Sequence, residues 1–149
     1  MSAEIRFYHL ERQSLEQVLP VLLSKSLATE RRVVIKAANA AEVERLNTYL
    51  WAYHPEHFLP HGSAKDGHAS EQPIWLTTKD ENPNGAVVLI LVQGVQSAIL
   101  DQFDLCCDVF DGRGDEDLAA ARVRWSAYKE AAHEMSYWQQ GAAGWEKKA

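Results

Sequence analysis

Ala86-Val-Val-Leu-Ile-Leu-Val92 is the most apolar run in the chain. A strand wet on one face alternates apolar and polar residues, and this run does not. It predicts a strand buried on both faces, as in the middle of a parallel sheet. The fold class follows from that reading, because a parallel sheet needs helical crossovers to cover both of its faces.

The segments around the run supply them. Before it lie a strand, Pro73-Ile-Trp-Leu-Thr-Thr78, and a turn, Asn82-Pro-Asn-Gly85. After it, Ile99 to Phe103 is a turn or short helical piece. Phe103-Asp-Leu-Cys-Cys-Asp-Val-Phe110 is another strand, and Asp111-Gly-Arg-Gly-Asp115 turns into the last helix. Near the N-terminus, Ile5-Arg-Phe-Tyr-His-Leu10 alternates like a first strand. Ser14 is placed to cap the next helix, with Gln17 at the capping-box position. Leu15, Val18, Leu19, Leu22, Leu23 and Leu27 form its apolar stripe, and Pro20 inside it is expected to kink it. Val33 to Ala37 is a β-branched central strand. Asn39 caps a helix from Ala40 to Trp51, with Val43, Leu46, Leu50 and Trp51 on one side. Pro55 ends that helix, and Phe58-Leu59 could form a short strand before Pro60. Residues 62–72 are expected to be a polar, mobile loop. Strands and helices alternate at first and strands then cluster. The expectation is one α/β domain over 1–149, a three-layer structure with a mainly parallel sheet flanked by helices.

Composition narrows the function. The chain of 149 residues carries a net charge of −6, whereas a strongly basic chain would have pointed to direct nucleic-acid binding. No apolar run approaches the roughly 20 residues that spanning a bilayer needs. Met1-Ser-Ala-Glu-Ile-Arg-Phe7 lacks the basic-then-apolar pattern of a signal peptide. A cytoplasmic location without membrane contact is expected. Cys106 and Cys107 are adjacent, and strand neighbours point to opposite faces, so they read as reduced core residues.

The sequence from Ala121 to Gln140 reads as a long helix running into an aromatic, polar tail over 136–149. At about 100° per residue, Arg122, Trp125, Ser126, Lys129 and His133 share one face. Ala120, Val123, Ala127, Ala131 and Met135 make a narrow apolar face opposite, expected to pack on the sheet. Trp and Arg are enriched in interface hot spots, so the Arg122/Trp125 face reads as a contact surface. The other reading of Trp125 is a half-buried ring among solvated charges.

Candidate chemistry is sparse. The turn after the first strand, Glu11-Arg-Gln-Ser14, has no glycine with which to cradle phosphate. Gly112-Arg-Gly114 precedes a helix, but Asp111, Asp115, Glu116 and Asp117 surround it, and these acids suit the helix dipole better than a phosphate. His54, His57 and His61 have helical spacing that Pro55 and Pro60 break, and no carboxylate pair supports a metal site. There is no Gly-x-Ser-x-Gly elbow, and neither cysteine sits beside a cation in sequence. No catalytic, cofactor-binding or metal-binding residues are assigned. By contrast, Trp51, Tyr53, Phe58, Leu59 and Pro60 put much apolar area into an irregular stretch. Either that stretch folds over the helix ends or it is a second contact surface. Two surfaces without a catalytic constellation fit an adaptor.

Three segments in order resemble the chi subunit of bacterial DNA polymerase III holoenzyme. They are Ile5-Arg-Phe-Tyr-His-Leu10, Leu50-Trp-Ala-Tyr-His-Pro-Glu-His-Phe-Leu-Pro-His61, and Ala121-Arg-Val-Arg-Trp-Ser-Ala-Tyr-Lys129. The resemblance covers nearly the whole chain. It implies a Rossmann-like fold without a nucleotide-binding Gly-rich loop, in a non-catalytic accessory subunit of the clamp-loader assembly. It also implies two protein partners, the psi subunit and the acidic, Phe-ending C-terminal tail of single-stranded-DNA-binding protein, with DNA reached only indirectly. Carried over by position, Trp51, Phe58, Leu59, Pro60 and His61 would face psi. Arg122, Arg124, Trp125, Ser126, Tyr128, Lys129 and His133 would bind the tail, with Arg124 near the apolar face of the wheel. Ser126 stands where the family commonly has Lys. Two other readings remain: a small nucleotide-binding or metal-dependent hydrolytic enzyme on the same fold, and direct single-stranded nucleic-acid binding through Trp125, Tyr137 and Trp138.

Overall fold

The computed structural model of the chain describes residues 3–52 and 61–149. Val88–Val92 forms strand β5, and every residue in it is buried. Its neighbours are β2 (Val33–Lys36) and β6 (Leu105–Asp111), both parallel to it. Beyond β2 lie β4 (Ile74–Thr77) and β3 (His61–Ser63). Beyond β6 lie β1 (Glu4–Leu10), β7 (Glu134–Gly141) and β8 (Gly144–Lys147). The order is β3-β4-β2-β5-β6-β1-β7-β8, and of these pairings only that of β7 with β8 is antiparallel.

Helices α1 (Leu15–Ala28) and α2 (Ala40–Ala52) cover one face, and α3 (Asp115–Glu130) covers the other. This is the expected three-layer, Rossmann-like arrangement. Alternation along the strands divides the core in two. Ile35, Leu76, Ile90 and Val109 pack with Val18, Leu19, Leu23, Leu46 and Leu50 of α1 and α2. Phe7, Trp75, Leu89, Leu91 and Phe110 pack with Ala121 and Tyr128 of α3. Cys106 joins the α3 side and Cys107 the α1/α2 side, both as free thiols. Burial pushes both thiols up to about 12, so neither is a ready thiolate.

The local signals mostly act as their chemistry predicts. Ser14 and Gln17 form a full capping box on α1, and the Glu42 N–H donates to Asn39 Oδ1 at the start of α2. The α1 helix continues through Pro20, which is buried. Residues 62–72, expected as a loop, include two residues of β3 and a 3-10 turn at Ala69–Glu71. The expected strand at Phe58-Leu59 lies outside the described residues.

Two expectations about the C-terminal third are corrected. The long helix stops at Glu130, and residues 134–147 form the β7–β8 hairpin rather than a tail. Ala132, at φ 63°, reverses the chain after α3, and β7 then finds a free edge on β1. The buried face of α3 is also not the alanine face. Ala121, Arg124 and Tyr128 are buried and Trp125 is half-buried, whereas Val123 is 69% exposed and Ala120, Ala127 and Ala131 are exposed. Spacing of i, i+3, i+4 and i+7 is a proper helical stripe, and Tyr and Trp bury far more area than the alanines opposite. Among the described residues, no helix is long and apolar enough to cross a membrane.

Candidate functional site

The sheet brings β1 between β6 and β7, and α3 crosses above them. At the C-terminal ends of β1 and β7 this leaves an open groove of about 490 Å³. Leu118, Arg122 and Trp125 of α3 form one wall, and His9, Glu11, Tyr137, Gln139 and Lys148 supply the floor and the other wall. Trp125 lies edge-on to Phe7 at 5.3 Å and to Tyr137 at 5.6 Å between ring centroids. One part of the indole is thus fixed in the aromatic core and the rest faces the groove. Arg122, Ser126 and Lys129 are exposed beside it. Both readings of Trp125 hold in part, since the ring is half-buried and also lines a cavity.

His9 anchors the floor. Its Nδ1 lies 2.6 Å from the Tyr137 hydroxyl, and its Nε2 lies 3.0 Å from a Glu11 carboxylate oxygen, without the direction of a good hydrogen bond. Burial raises the Tyr137 phenol above its ordinary value, with Arg122 pulling the other way. Gly112 is what admits this ring, because a Cβ at Gly112 would lie 1.7 Å from His9 Nε2. Gly112→Ala is therefore expected to force the His9 ring out of its place between Gly112 and Tyr137. Overpacking of this kind costs about 1–3 kcal/mol. Urea denaturation measures it, and an unchanged midpoint would show that the imidazole moves freely.

Three of the residues expected in the tail-binding set are placed differently. Arg124 is buried under α3, where its guanidinium donates to Asp108 Oδ2 at 2.7 Å and Oδ1 at 3.0 Å. Tyr128 is buried, and burial pushes its phenol up to about 12. His133 lies past the end of α3, and its Nδ1 accepts a hydrogen bond from the Ala3 N–H. None of these three lines the groove. Conversely, His9, Tyr137, Gln139 and Lys148 line it and were not in the expected set. Pairing of β7 with β1 brings the first three together, and no local pattern announces that.

Gln140 has a separate role. Its Oε1 accepts hydrogen bonds from the backbone N–H groups of Glu11, Arg12 and Gln13 at 2.9, 2.9 and 3.1 Å, and its Nε2 donates to Gln13. The turn after β1, which in a nucleotide-binding fold would offer its N–H groups to phosphate, spends them on a side chain of β7.

At the other end of the sheet, Trp51 and His61 come together, with ring centroids 4.2 Å apart. Trp51 is 52% exposed, and His61 is buried with Nε2 3.1 Å from the Asn47 carbonyl oxygen. Phe58, Leu59 and Pro60, like His54 and His57, lie outside the described residues. Among the described residues no group of three or more His, Cys, Asp or Glu side chains is placed to hold a metal ion.

Comparison with known proteins gives the family. A "Probable DNA polymerase III subunit chi" from Rickettsia prowazekii (strain Madrid E) is 30% identical over 107 residues, which are 72% of this chain and 65% of that protein. The aligned part thus spans just under two thirds of the relative's length. The family model described as "DNA polymerase III chi subunit, HolC" matches residues 1–136, from the first strand through α3 into β7. The chain belongs to the DNA polymerase III chi subunit family.

Proposed function

We propose that this chain is a non-catalytic, cytoplasmic accessory subunit of the replicative polymerase's clamp-loader assembly. It links that assembly to template coated by single-stranded-DNA-binding protein. The observation that carries this reading is the Arg122/Trp125 groove, in which an exposed cation stands beside a half-buried indole at the mouth of an aromatic floor. A peptide rich in carboxylates and ending in Phe needs that pair, a guanidinium for the carboxylates and an apolar slot for the ring. Lys129 and Ser126 extend the exposed face of α3 beside it. Arg124, Tyr128 and His133 serve by holding α3 and the N-terminal strand in position. Trp51 and His61 face psi in this reading, and Phe58, Leu59 and Pro60, which lie outside the described residues, are assigned to the same partner by sequence position alone.

The occupied turn after β1 favours this reading over a nucleotide-binding or hydrolytic enzyme, because its backbone donors already face Gln140. The net charge of −6 favours it over direct nucleic-acid binding.

A fluorescence-anisotropy titration with a labelled acidic peptide ending in Asp-Phe tests the proposal. Saturable binding is expected, and it should require the terminal Phe. Trp125→Ala should weaken it at least tenfold, about 1.4 kcal/mol. Arg122→Ala should weaken it less, and rising salt should weaken the wild type as screening predicts. Equal affinity for the peptide without its Phe would count against the slot.

A further inference from the structure

The groove has a second cation outside the stretch that suggested it, and this inference rests on the tail-binding reading above. The family match ends at residue 136, and most of the β7–β8 hairpin lies past that point. Alternation sets the sides of β8. Trp145 packs against Tyr8 at 5.1 Å on the α1 side, so Glu146 and Lys148 fall on the α3 side and Lys147 does not. Hairpin pairing continues past β8. The Lys148 N–H donates to the Tyr137 carbonyl at 2.7 Å, and the Tyr137 N–H donates to the Ala149 carbonyl at 3.3 Å. Lys148 is thereby held against the aromatic floor and lines the same cavity as Arg122 and Trp125.

We propose that Lys148 is a specificity-determining residue of this groove, the second cation that grips an acidic peptide. Arg122 stands on the α3 wall and Lys148 on the hairpin wall, with Trp125 and Tyr137 between them. A peptide laid with its apolar end on the rings has its carboxylates bracketed from both sides. The Lys148 ammonium is 3.0 Å from Glu146, and both side chains are about half exposed. Such exposed pairs are weak, so an incoming carboxylate replaces Glu146 at little cost. The acid of the groove itself, Glu11, is already engaged by His9 and by Gln139 Nε2 at 2.7 Å. Among the described residues, an acidic peptide therefore meets two cations with exchangeable or no partners and one acid that is occupied.

The test uses the full chain and the labelled acidic peptide ending in Asp-Phe. Lys148→Ala should weaken binding about three- to fivefold, the scale of an exposed charge pair, and flatten its salt dependence. Glu146→Gln should tighten binding, because it removes the competing carboxylate. Lys147→Ala, on the other side of β8, should bind as the wild type does. Thermal unfolding of each variant checks that the hairpin stays folded. Wild-type affinity in Lys148→Ala, with affinity lost in Arg122→Ala, would overturn the role of Lys148 and leave the groove reading intact. No binding by the wild type would overturn the groove reading itself, and this inference with it.

Discussion

Arg124→Met is expected to destabilise the protein by about 3–5 kcal/mol, the cost of leaving a buried charge without its partner. Arg124 and Asp108 are 3% and 1% exposed, and the guanidinium makes two hydrogen bonds to the carboxylate. Its carbon also lies 5.9 Å from the centre of the Phe110 ring. Burial pushes the Asp108 carboxyl above its ordinary value, against the pull of the Arg124 guanidinium. Without that guanidinium the folded value rises further above the unfolded one. Between the two values the folded state holds a proton that the unfolded state has released, so stability falls as pH rises through that window. The variant should therefore stand closest to the wild type in acid, with a deficit that grows toward neutral pH. Urea denaturation across that range measures it. The double variant Arg124→Met with Asp108→Leu should recover much of the loss, since an apolar pair of similar volume can replace a buried ion pair. A deficit that is flat with pH, or no recovery in the double variant, would show that the pair contributes packing and not charge.

The same residue explains why helical patterning turns α3 the wrong side down. Sequence patterning treats arginine as solvent-facing, and Val123 with four small or flexible apolar neighbours looked like the buried stripe. What buries Arg124 is Asp108 on β6, a partner that no helical wheel contains. Once Arg124 is placed inside, Ala121, Trp125 and Tyr128 complete the stripe. Arg122 and Lys129 remain outside, as the wheel had them. The exposed half of the site was thus legible, and the buried half was not.

The parallel centre of the sheet was legible because β5 has no polar residue to hide. The capping box of α1 and the Asn39 cap were legible because those signals are local. The β7–β8 hairpin was not. Glu134-Met-Ser-Tyr-Trp-Gln-Gln-Gly141 carries polar residues on both faces, so no clean alternation marks it as a strand, although it pairs with both β1 and β8. A signal was present all the same. Tyr137-Trp138 and Trp145 suit strands, and Gly141 and Gly144 pair across a two-residue turn. Reading it would have placed Lys148 beside Tyr137, and the groove's second wall would have come into view.

Phe7→Ala is the second change with a large expected effect, about 3–5 kcal/mol for a fully buried phenylalanine. Phe7 is 0% exposed, on a strand paired with both β6 and β7. Its ring centroid lies 6.1 Å from that of Phe110, 6.0 Å from Tyr128, 6.2 Å from Tyr137 and 5.3 Å from Trp125. Each such pair adds about 0.5–1.5 kcal/mol beyond its burial. The ring therefore does more than fill space, because it fixes the inner edge of Trp125 and backs the Tyr137 side of the floor. Phe7→Ala is expected to unfold too readily to report on binding. Phe7→Leu keeps the site apolar and should cost only about 1–2 kcal/mol, within the common range for single substitutions. In that folded variant the indole keeps Tyr137 but loses the nearer of its two edge-to-face partners and gains freedom. The near-ultraviolet circular dichroism of the tryptophans should weaken, and acidic-peptide affinity should fall with it, because an ordered ring gives up less entropy on binding. A folded Phe7→Leu variant with an unchanged spectrum and unchanged affinity would mean that α3 and Tyr137 hold Trp125 without Phe7. A changed spectrum with unchanged affinity would mean that the peptide orders the ring for itself, and the grip would then rest on Arg122 and the hairpin.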